Sequence, residues 1–137
     1  MRCTSGCRIL LFVSPELYPD PPYEYASVAP DARLVFTAGA CPLDREGKIV
    51  APGDYEAQAR QAVDNLRLAL EGAGSGFARV LKTTVYVAAG ERDDLVRVWK
   101  VVEASLAPGR PPSTLLGVTL LGYPEQLVEI EAVALTA

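Results

Sequence analysis

The chain has 137 residues, 50% of them hydrophobic, and its 13 basic and 17 acidic residues give a net charge of −4 at pH 7. This length suits one domain, covering residues 1–137, with a hydrophobic core of its own. Neither sign of charge forms a long run, so the composition predicts no nucleic-acid partner and no anionic membrane partner and favours small neutral or zwitterionic ligands.

The cysteines are Cys3, Cys7 and Cys41, an odd number without CxxC spacing. This pattern indicates neither a disulfide framework nor a zinc site, and it favours a reducing compartment. We expect Cys41 to pack as a small apolar residue. The apolar run at residues 9–13 is too short for a signal-peptide core or a membrane span, so the sequence predicts a soluble cytoplasmic protein.

The N-terminal part of the chain predicts two strands joined by a proline-rich loop. Residues 8–13 are typical of a strand, and prolines recur in residues 14–22, where they favour a loop. Tyr25 follows this loop; such a ring is more often an anchor on the core, although one near a cleft could contact a ligand. Residues 34–38 predict the next strand, and the glycine-bearing turn at 44–48 predicts a hairpin.

A helix and a strand follow. Gly53-Asp54 provides an N-cap, and apolar residues at helical spacing then continue until Gly72 and Gly74. This is the clearest helix of the sequence. Residues 79–88 are rich in β-branched residues and predict a strand.

The C-terminal part predicts a second helix and two strands. Apolar residues at helical spacing run from Leu95 to Leu106, and the helix should end before Pro108. Residues 114–121 and 127–136 predict the last two strands. Strands that alternate with two helices predict an α+β or α/β class with a mixed sheet.

Residues 115–121 predict a self-associating protein. They do not alternate between apolar and polar, which suggests that both faces of their sheet are covered. Two helices can cover only one face. The simplest cover for the other face is a second copy of the chain, so we expect a homo-oligomer.

The best candidate for chemistry is the acidic pair near the C-terminus, in residues 128–134 (VEIEAVA). The period of a strand places Glu129 and Glu131 on one face and the apolar residues 128, 130 and 132 on the other. Because the chain has no histidine, a carboxylate is the strongest candidate for proton transfer. The alternative is a solvated strand face, which the spacing alone favours.

Five stretches carry a resemblance to a known family. They are residues 34–39 (LVFTAG), 58–66 (QARQAVDNL), 80–87 (VLKTTVYV), 112–114 (PST) and 128–132 (VEIEA). Each is unspecific alone. In this order and spacing, from about residue 25 to the end, they resemble the Rid/YjgF family of reactive intermediate deaminases.

The resemblance implies a fold, an assembly and an activity. The fold is chorismate-mutase-like and α+β, with a mixed sheet and two helices packed on one face. The assembly is a homotrimer with three clefts at the subunit interfaces, each for a small-molecule ligand. The activity is hydrolysis of 2-imino acids, such as 2-iminopropanoate and 2-iminobutanoate, to 2-keto acids and ammonia without metal or organic cofactor. An arginine clamps the substrate carboxylate, and a glutamate positions the attacking water.

The resemblance also assigns site residues. The glutamate falls on Glu129 and the cleft tyrosine on Tyr25, while Gly39 and Thr114 fall on substrate-binding positions. The arginine of the family's Pro-x-Arg-Ser motif falls on Pro112, immediately before the residue matched to the serine. The guanidinium at that position is therefore absent.

Other cleft positions also differ from the family pattern. Ala38 replaces a hydroxyl-bearing residue, and Trp99 replaces an asparagine of the second helix. Loss of the arginine clamp should weaken the binding of a small carboxylate by about 1.5–3 kcal/mol. Arg110 could reach the same cleft from its loop, or it could be a solvated residue on a stiff proline-rich segment. Trp99 could be a ligand platform, but its three-residue spacing from Val102 is more often that of a helix core residue.

Two functions follow from different classes. The first is a cofactor-free hydrolase of enamines, imines or related reactive metabolites, with Glu129 as the water-activating base and Thr114 backbone groups orienting the substrate. The second is a trimer that binds a metabolite or a partner protein without turnover, which the loss of the arginine favours. Roles in RNA cleavage or translation inhibition rank last because the chain is acidic and lacks a basic groove. A chorismate mutase rests on fold analogy alone.

Overall fold

The backbone forms one sheet and two long helices. The structure, a computed structural model, describes residues 2–3, 10–12, 14–20, 25–29 and 33–136. The strands are β1 Arg2–Cys3, β2 Leu10–Phe12, β3 Ala26–Ala29, β4 Leu34–Thr37, β5 Val80–Ala88, β6 Ser113–Val118 and β7 Val128–Leu135. The helices are α1 Tyr55–Gly72 and α2 Arg92–Leu106, and a 3-10 helix spans Phe77–Arg79.

The sheet is mixed. Its strand order is β1-β2-β3-β4-β7-β5-β6, and the described strands pair antiparallel except β5 with β6, which are parallel. A parallel pair needs a long crossover connection, and α2 provides it. The predicted α+β class with a mixed sheet is confirmed.

Several strand boundaries differ from the prediction. β6 ends at Val118 instead of residue 121, because its partner β5 ends at Ala88, opposite Val118. β3 lies between the N-terminal loop and β4, and no strand was predicted there from the sequence. Of the strand predicted over residues 8–13, residues 10–12 are a strand and the others lie outside the described residues. The turn at 44–48 is closed by one bridge, Leu43 to Ile49, without longer strands.

The two helices begin close to the predicted positions. The Asp54 side chain accepts a hydrogen bond from the backbone N–H of Ala57 at 2.9 Å and caps α1. Gly74 follows the end of α1 with a φ of +79°, a conformation that favours glycine. α2 begins at Arg92, three residues before the predicted apolar pattern, and Asp93 and Asp94 lie in its first turn.

Both helices pack on the same face of the sheet. Val128, Ile130, Ala132 and Ala134 alternate along β7, are all buried, and belong to the cluster that contains the inner faces of α1 and α2. Burying one valine or isoleucine side chain stabilises the fold by about 1.5–3 kcal/mol. The predicted alternation of β7, with the glutamates on the opposite face, is confirmed.

The opposite face of the sheet, here called the open face, carries a mixture of apolar and polar side chains. Its residues include Phe36, Thr84, Tyr86, Leu116, Glu129 and Glu131. Among the described residues, Leu116 is 43% exposed and Leu120 is 82% exposed, so the part of one chain that the structure describes leaves residues 115–121 partly uncovered. The two helices cover only the face of the sheet that is opposite the open face.

Neither long helix combines the length and apolar character that crossing a membrane requires, within the described part of the chain.

Candidate active site

Glu129 lies on the open face in the middle of β7. It is half-buried, and its backbone pairs with Tyr86 of β5. Gly39, just beyond the end of β4, packs directly against its side chain. A Cβ atom built on Gly39 would lie within 2.7 Å of three Glu129 side-chain atoms. Only a residue without a side chain therefore leaves room for this carboxylate.

Two hydrogen bonds orient the carboxylate of Glu129, and both reach Oε1. The Cys41 thiol lies 3.1 Å from this atom, and Nε2 of Gln126 lies 3.2 Å from it. No hydrogen bond from a described residue reaches Oε2. The carboxylate is thus held through Oε1, while Oε2 is the atom of the side chain that lies closest to the position of a Cβ on Gly39.

Gln126 is itself fixed, because it is 4% exposed and uses both ends of its amide. Its Oε1 accepts a hydrogen bond from the Tyr123 backbone N–H at 3.1 Å, and its Nε2 also donates to the Val128 carbonyl at 3.1 Å. A buried amide with both ends bonded holds one rotamer. Gln126 therefore determines how the Glu129 side chain lies.

The segment that carries Cys41 is held from two sides. The backbone of Ala40 exchanges two hydrogen bonds with Ile130, at 2.7 and 3.1 Å. The buried side chain of Asn65 on α1 donates to the carbonyls of Cys41 and Leu43 at 2.8 and 2.9 Å. These bonds place the Cys41 thiol beside the carboxylate.

Cys41 and Gln126 were not identified as site residues from the sequence. Cys41 is buried, as predicted, but its thiol bonds to a carboxylate instead of packing only against apolar atoms. It lies 88 residues from Glu129, and no local period connects the two positions. The hydrogen bond from Asn65 on α1 to the Cys41 carbonyl is a tertiary contact, and the spacing of residue types along the chain does not reveal it.

Tyr25 is an anchor of the N-terminal loop in this structure. Its ring is buried with Leu17 and Ala69, and its hydroxyl donates to the Tyr18 carbonyl at 2.8 Å. Burial raises the pKa of Tyr25 well above the usual value, and the charges of Tyr123, Cys41 and Tyr18 add to this shift. The Tyr25 carbonyl accepts from the Ala38 backbone N–H at 2.7 Å, which links this loop to the residue before Gly39.

Glu131 and Thr114 occupy a different part of the open face. Tyr86 donates to Oε1 of Glu131 at 2.6 Å, and this bond, with partial burial, raises the pKa of Tyr86 to about 12. Thr114 is exposed and accepts a hydrogen bond from the Lys82 ammonium. Because Thr114 pairs with Thr84, and Thr84 with Glu131, Thr114 lies level with Glu131 and not with Glu129.

Arg110 lies in a separate cavity, here called the α2 groove. This cavity has a volume of about 390 Å³ and is lined by Trp99, Glu103, Leu106, residues 107–111 and Ser113. Its lining does not include Glu129. Within one chain, the structure therefore does not bring Arg110 and Glu129 into one cavity. Trp99 is half-buried against the core, as the helix-core interpretation predicts, and its side chain also lines the groove.

The described residues contain no cluster of three or more histidine, cysteine, aspartate or glutamate side chains that could hold a metal ion. The polar groups that contact one another at Glu129 are a carboxylate, a thiol and an amide. A fixed carboxylate with an oxygen that no described donor reaches can accept a proton from a water molecule that approaches it.

The sequence is similar to proteins of one family. The family profile described as endoribonuclease L-PSP matches residues 16–136. The RutC family protein UK114 of Drosophila melanogaster is 33% identical over 129 residues, which cover 94% of this chain and 90% of that protein.

Solved structures agree with this relationship. Rv2704 from Mycobacterium tuberculosis, described as a member of the YjgF/YER057c/UK114 family, superposes with a TM-score of 0.68 at 30% identity, covering 83% of this chain and 86% of that one. The Rid-family protein YyfA from Yersinia pestis has the same fold, with a TM-score of 0.83 at 22% identity and coverages of 93% and 99%. The protein described here is therefore a member of the Rid/YjgF family.

Proposed function

We propose that the protein is a cofactor-free hydrolase of small reactive imines or enamines, with Glu129 as the base that activates water. The observation that carries this proposal is the geometry of the carboxylate. Cys41 and Gln126 hold Oε1, Gly39 leaves the space that the side chain needs, and no described donor reaches Oε2. A solvated strand residue would not need such support.

The reaction uses only groups that are present. Oε2 of Glu129 accepts a proton as the water oxygen attacks the imine carbon, and the proton is then returned to the nitrogen. This gives a carbinolamine. The same carboxylate then passes the hydroxyl proton of the carbinolamine to the nitrogen, the carbon–nitrogen bond breaks as the carbonyl forms, ammonia leaves, and a keto compound remains. Proton transfer by a positioned side chain contributes about 10²–10⁴-fold to a rate.

The second part of the proposal is a homotrimer whose clefts lie between subunits. One chain carries Glu129 on the open face and Arg110 in the α2 groove, and the two residues do not share a cavity. Association would bring the groove of one subunit to the Glu129 of another. The partly exposed Phe36 and Leu116 on the open face support association, because a second copy would bury them. The cytoplasmic location predicted from the cysteines belongs to the same proposal.

The second candidate is a trimer that binds a metabolite or a partner protein without turnover. Pro112 favours this function, because the resemblance places the clamping arginine there and proline cannot bind a carboxylate by charge. RNA cleavage, which the family description names, is not proposed for this chain because its net charge is −4 and it has no histidine.

The experiment is keto-acid release from freshly generated 2-iminopropanoate and 2-iminobutanoate. We expect the wild-type protein to accelerate release and Glu129→Gln to lose at least about 10²-fold of the effect. Glu131→Gln is the matched control, since it removes a carboxylate from the same face of the same strand, and it should retain activity. Equal rates with Glu129→Gln and wild type would overturn the role of Glu129.

A further pair of variants separates the two candidate functions. The variants are Pro112→Arg and Ser113→Arg. Both are made because a one-residue shift in the alignment with the family motif would place its arginine at Ser113 instead of Pro112. If the wild-type protein is inactive and either arginine variant is active, the cleft is retained and its natural ligand is not a 2-imino acid. No activity in any of the three proteins would favour the binding trimer.

A further inference from the structure

The α2 groove has an aromatic wall. Trp99, Glu103 and Leu106 are spaced by four and three residues and therefore lie on one face of α2. Leu106 is buried, and Pro108 and Pro111 also line the groove. An indole beside aliphatic and proline side chains is a surface on which a flat apolar group can pack.

Two opposite charges line the same groove. Arg110 and Glu103 are both exposed, and among the described residues neither side chain forms an ion pair. A guanidinium binds a carboxylate through two parallel hydrogen bonds, and a carboxylate binds a cationic nitrogen. The groove therefore complements a ligand that carries both charges beside an apolar body.

The size of the groove argues against the smallest candidates. Ligand pockets in proteins measure about 300–1,000 Å³, and the groove, at about 390 Å³, falls within this range. A ligand with only a methyl or ethyl side chain would fill a small part of this volume and leave Trp99 in contact with water. An aromatic side chain would fill the remaining space.

We propose that the α2 groove binds amino-acid-type ligands with an aromatic side chain, whose ring packs on Trp99 while Arg110 binds the carboxylate and Glu103 the cationic nitrogen. One part of this inference rests on the proposed function: if the protein is a hydrolase, its substrates would be 2-imino acids with aromatic side chains. Binding itself does not depend on turnover.

Trp99 supplies the signal that tests this proposal. It is the only tryptophan of the chain, so emission excited at the red edge of tryptophan absorption reports on the groove alone. The full-length protein is titrated with L-phenylalanine, L-alanine, 3-phenylpropanoate and 2-phenylethylamine. We expect a saturable change with L-phenylalanine and none over the same concentrations with L-alanine.

Charge variants identify the contacts. Arg110→Gln and Glu103→Gln should each weaken L-phenylalanine binding about three- to tenfold, because both charges are exposed. Arg110→Gln should weaken binding of 3-phenylpropanoate, which carries only the carboxylate, and Glu103→Gln should not weaken it. Glu103→Gln should weaken binding of 2-phenylethylamine, which carries only the cationic nitrogen, and Arg110→Gln should not weaken it. The controls Arg60→Gln and Glu46→Gln change exposed charges outside the groove and should bind as wild type does.

Each outcome bears on one proposal. No saturable change with L-phenylalanine, or equal affinity in wild type and both groove variants, would overturn the inference. Binding as expected together with no hydrolysis of any tested 2-imino acid, 2-iminopropanoate, 2-iminobutanoate or the one derived from phenylalanine, would uphold the groove assignment and contradict the hydrolase. Hydrolysis of 2-iminopropanoate without L-phenylalanine binding would uphold the hydrolase and contradict the groove assignment.

Discussion

The thiol of Cys41 and the carboxylate of Glu129 lie 3.1 Å apart, Sγ to Oε1. The pair joins the segment after β4 to the middle of β7, and Gln126 bonds the same oxygen from the other side. Both donors act on one oxygen, so their effect is to orient the side chain. We interpret Cys41 and Gln126 as positioning residues for Glu129.

Replacing Cys41 with alanine should lower the rate of imine hydrolysis by about three- to tenfold, because one hydrogen bond to the carboxylate is lost and a thiol is a weak donor. The effect should fall on kcat and leave KM unchanged, since both protein donors occupy Oε1 and the proposed proton transfer uses Oε2. Cys41→Ser retains a donor and should recover most of the rate. Equal kinetics for the alanine and serine variants would contradict a positioning role.

Gly39→Ala should displace the Glu129 side chain, because the added Cβ would lie within 2.7 Å of it. We expect about 10²-fold slower hydrolysis, the typical effect of moving a reacting group by about 1 Å, and a stability loss of about 1–3 kcal/mol in urea denaturation. Gly90→Ala is the matched control, since no atom lies within 4 Å of the position that its added methyl group would take, and it should change neither quantity. A fully active Gly39→Ala protein would argue against the fixed carboxylate.

Leu116→Lys should dissociate the proposed trimer. Leu116 lies on the open face, and burying an unpaired lysine at a subunit interface costs several kcal/mol. Val96 on α2 has the same exposure of 43%, so Val96→Lys adds the same charge away from that face. Light scattering should give the monomer mass for Leu116→Lys and the trimer mass for Val96→Lys and wild type. A wild-type monomer would overturn the assembly.

The Tyr86–Glu131 hydrogen bond should make stability fall at high pH. The pKa of Tyr86 is 10.0 in an unfolded chain and about 12 here, so the native state binds more protons between these values. The contribution of this hydrogen bond to the free energy of unfolding is complete below pH 10 and is lost as the pH rises through 12. In urea denaturation at several pH values, the stability of Tyr86→Phe should decrease less across this window than that of the wild type. A phenolate titration of the variant should lose the step near pH 12. An unchanged pH profile would contradict this assignment.

The sequence by itself determined the elements whose signals are local. The N-cap and apolar spacing defined α1, and the two-residue alternation of β7 put Glu129 and Glu131 on the face away from the helices. Both signals come from neighbours along the chain, since the helix and strand periods act within a few residues. β3 carried no comparable pattern and was missed because pairing with β4 decides its conformation.

Only the tertiary structure decided which side chains surround Glu129. Cys41 reaches it because Asn65 on α1 and Ile130 on β7 fix the segment after β4, and each of these contacts joins distant parts of the chain. The same packing puts Arg110 in the α2 groove, whose lining excludes Glu129, although the sequence alone allowed both to serve one cleft. Contacts between distant residues depend on how the helices and sheet pack together, and no local period records that packing.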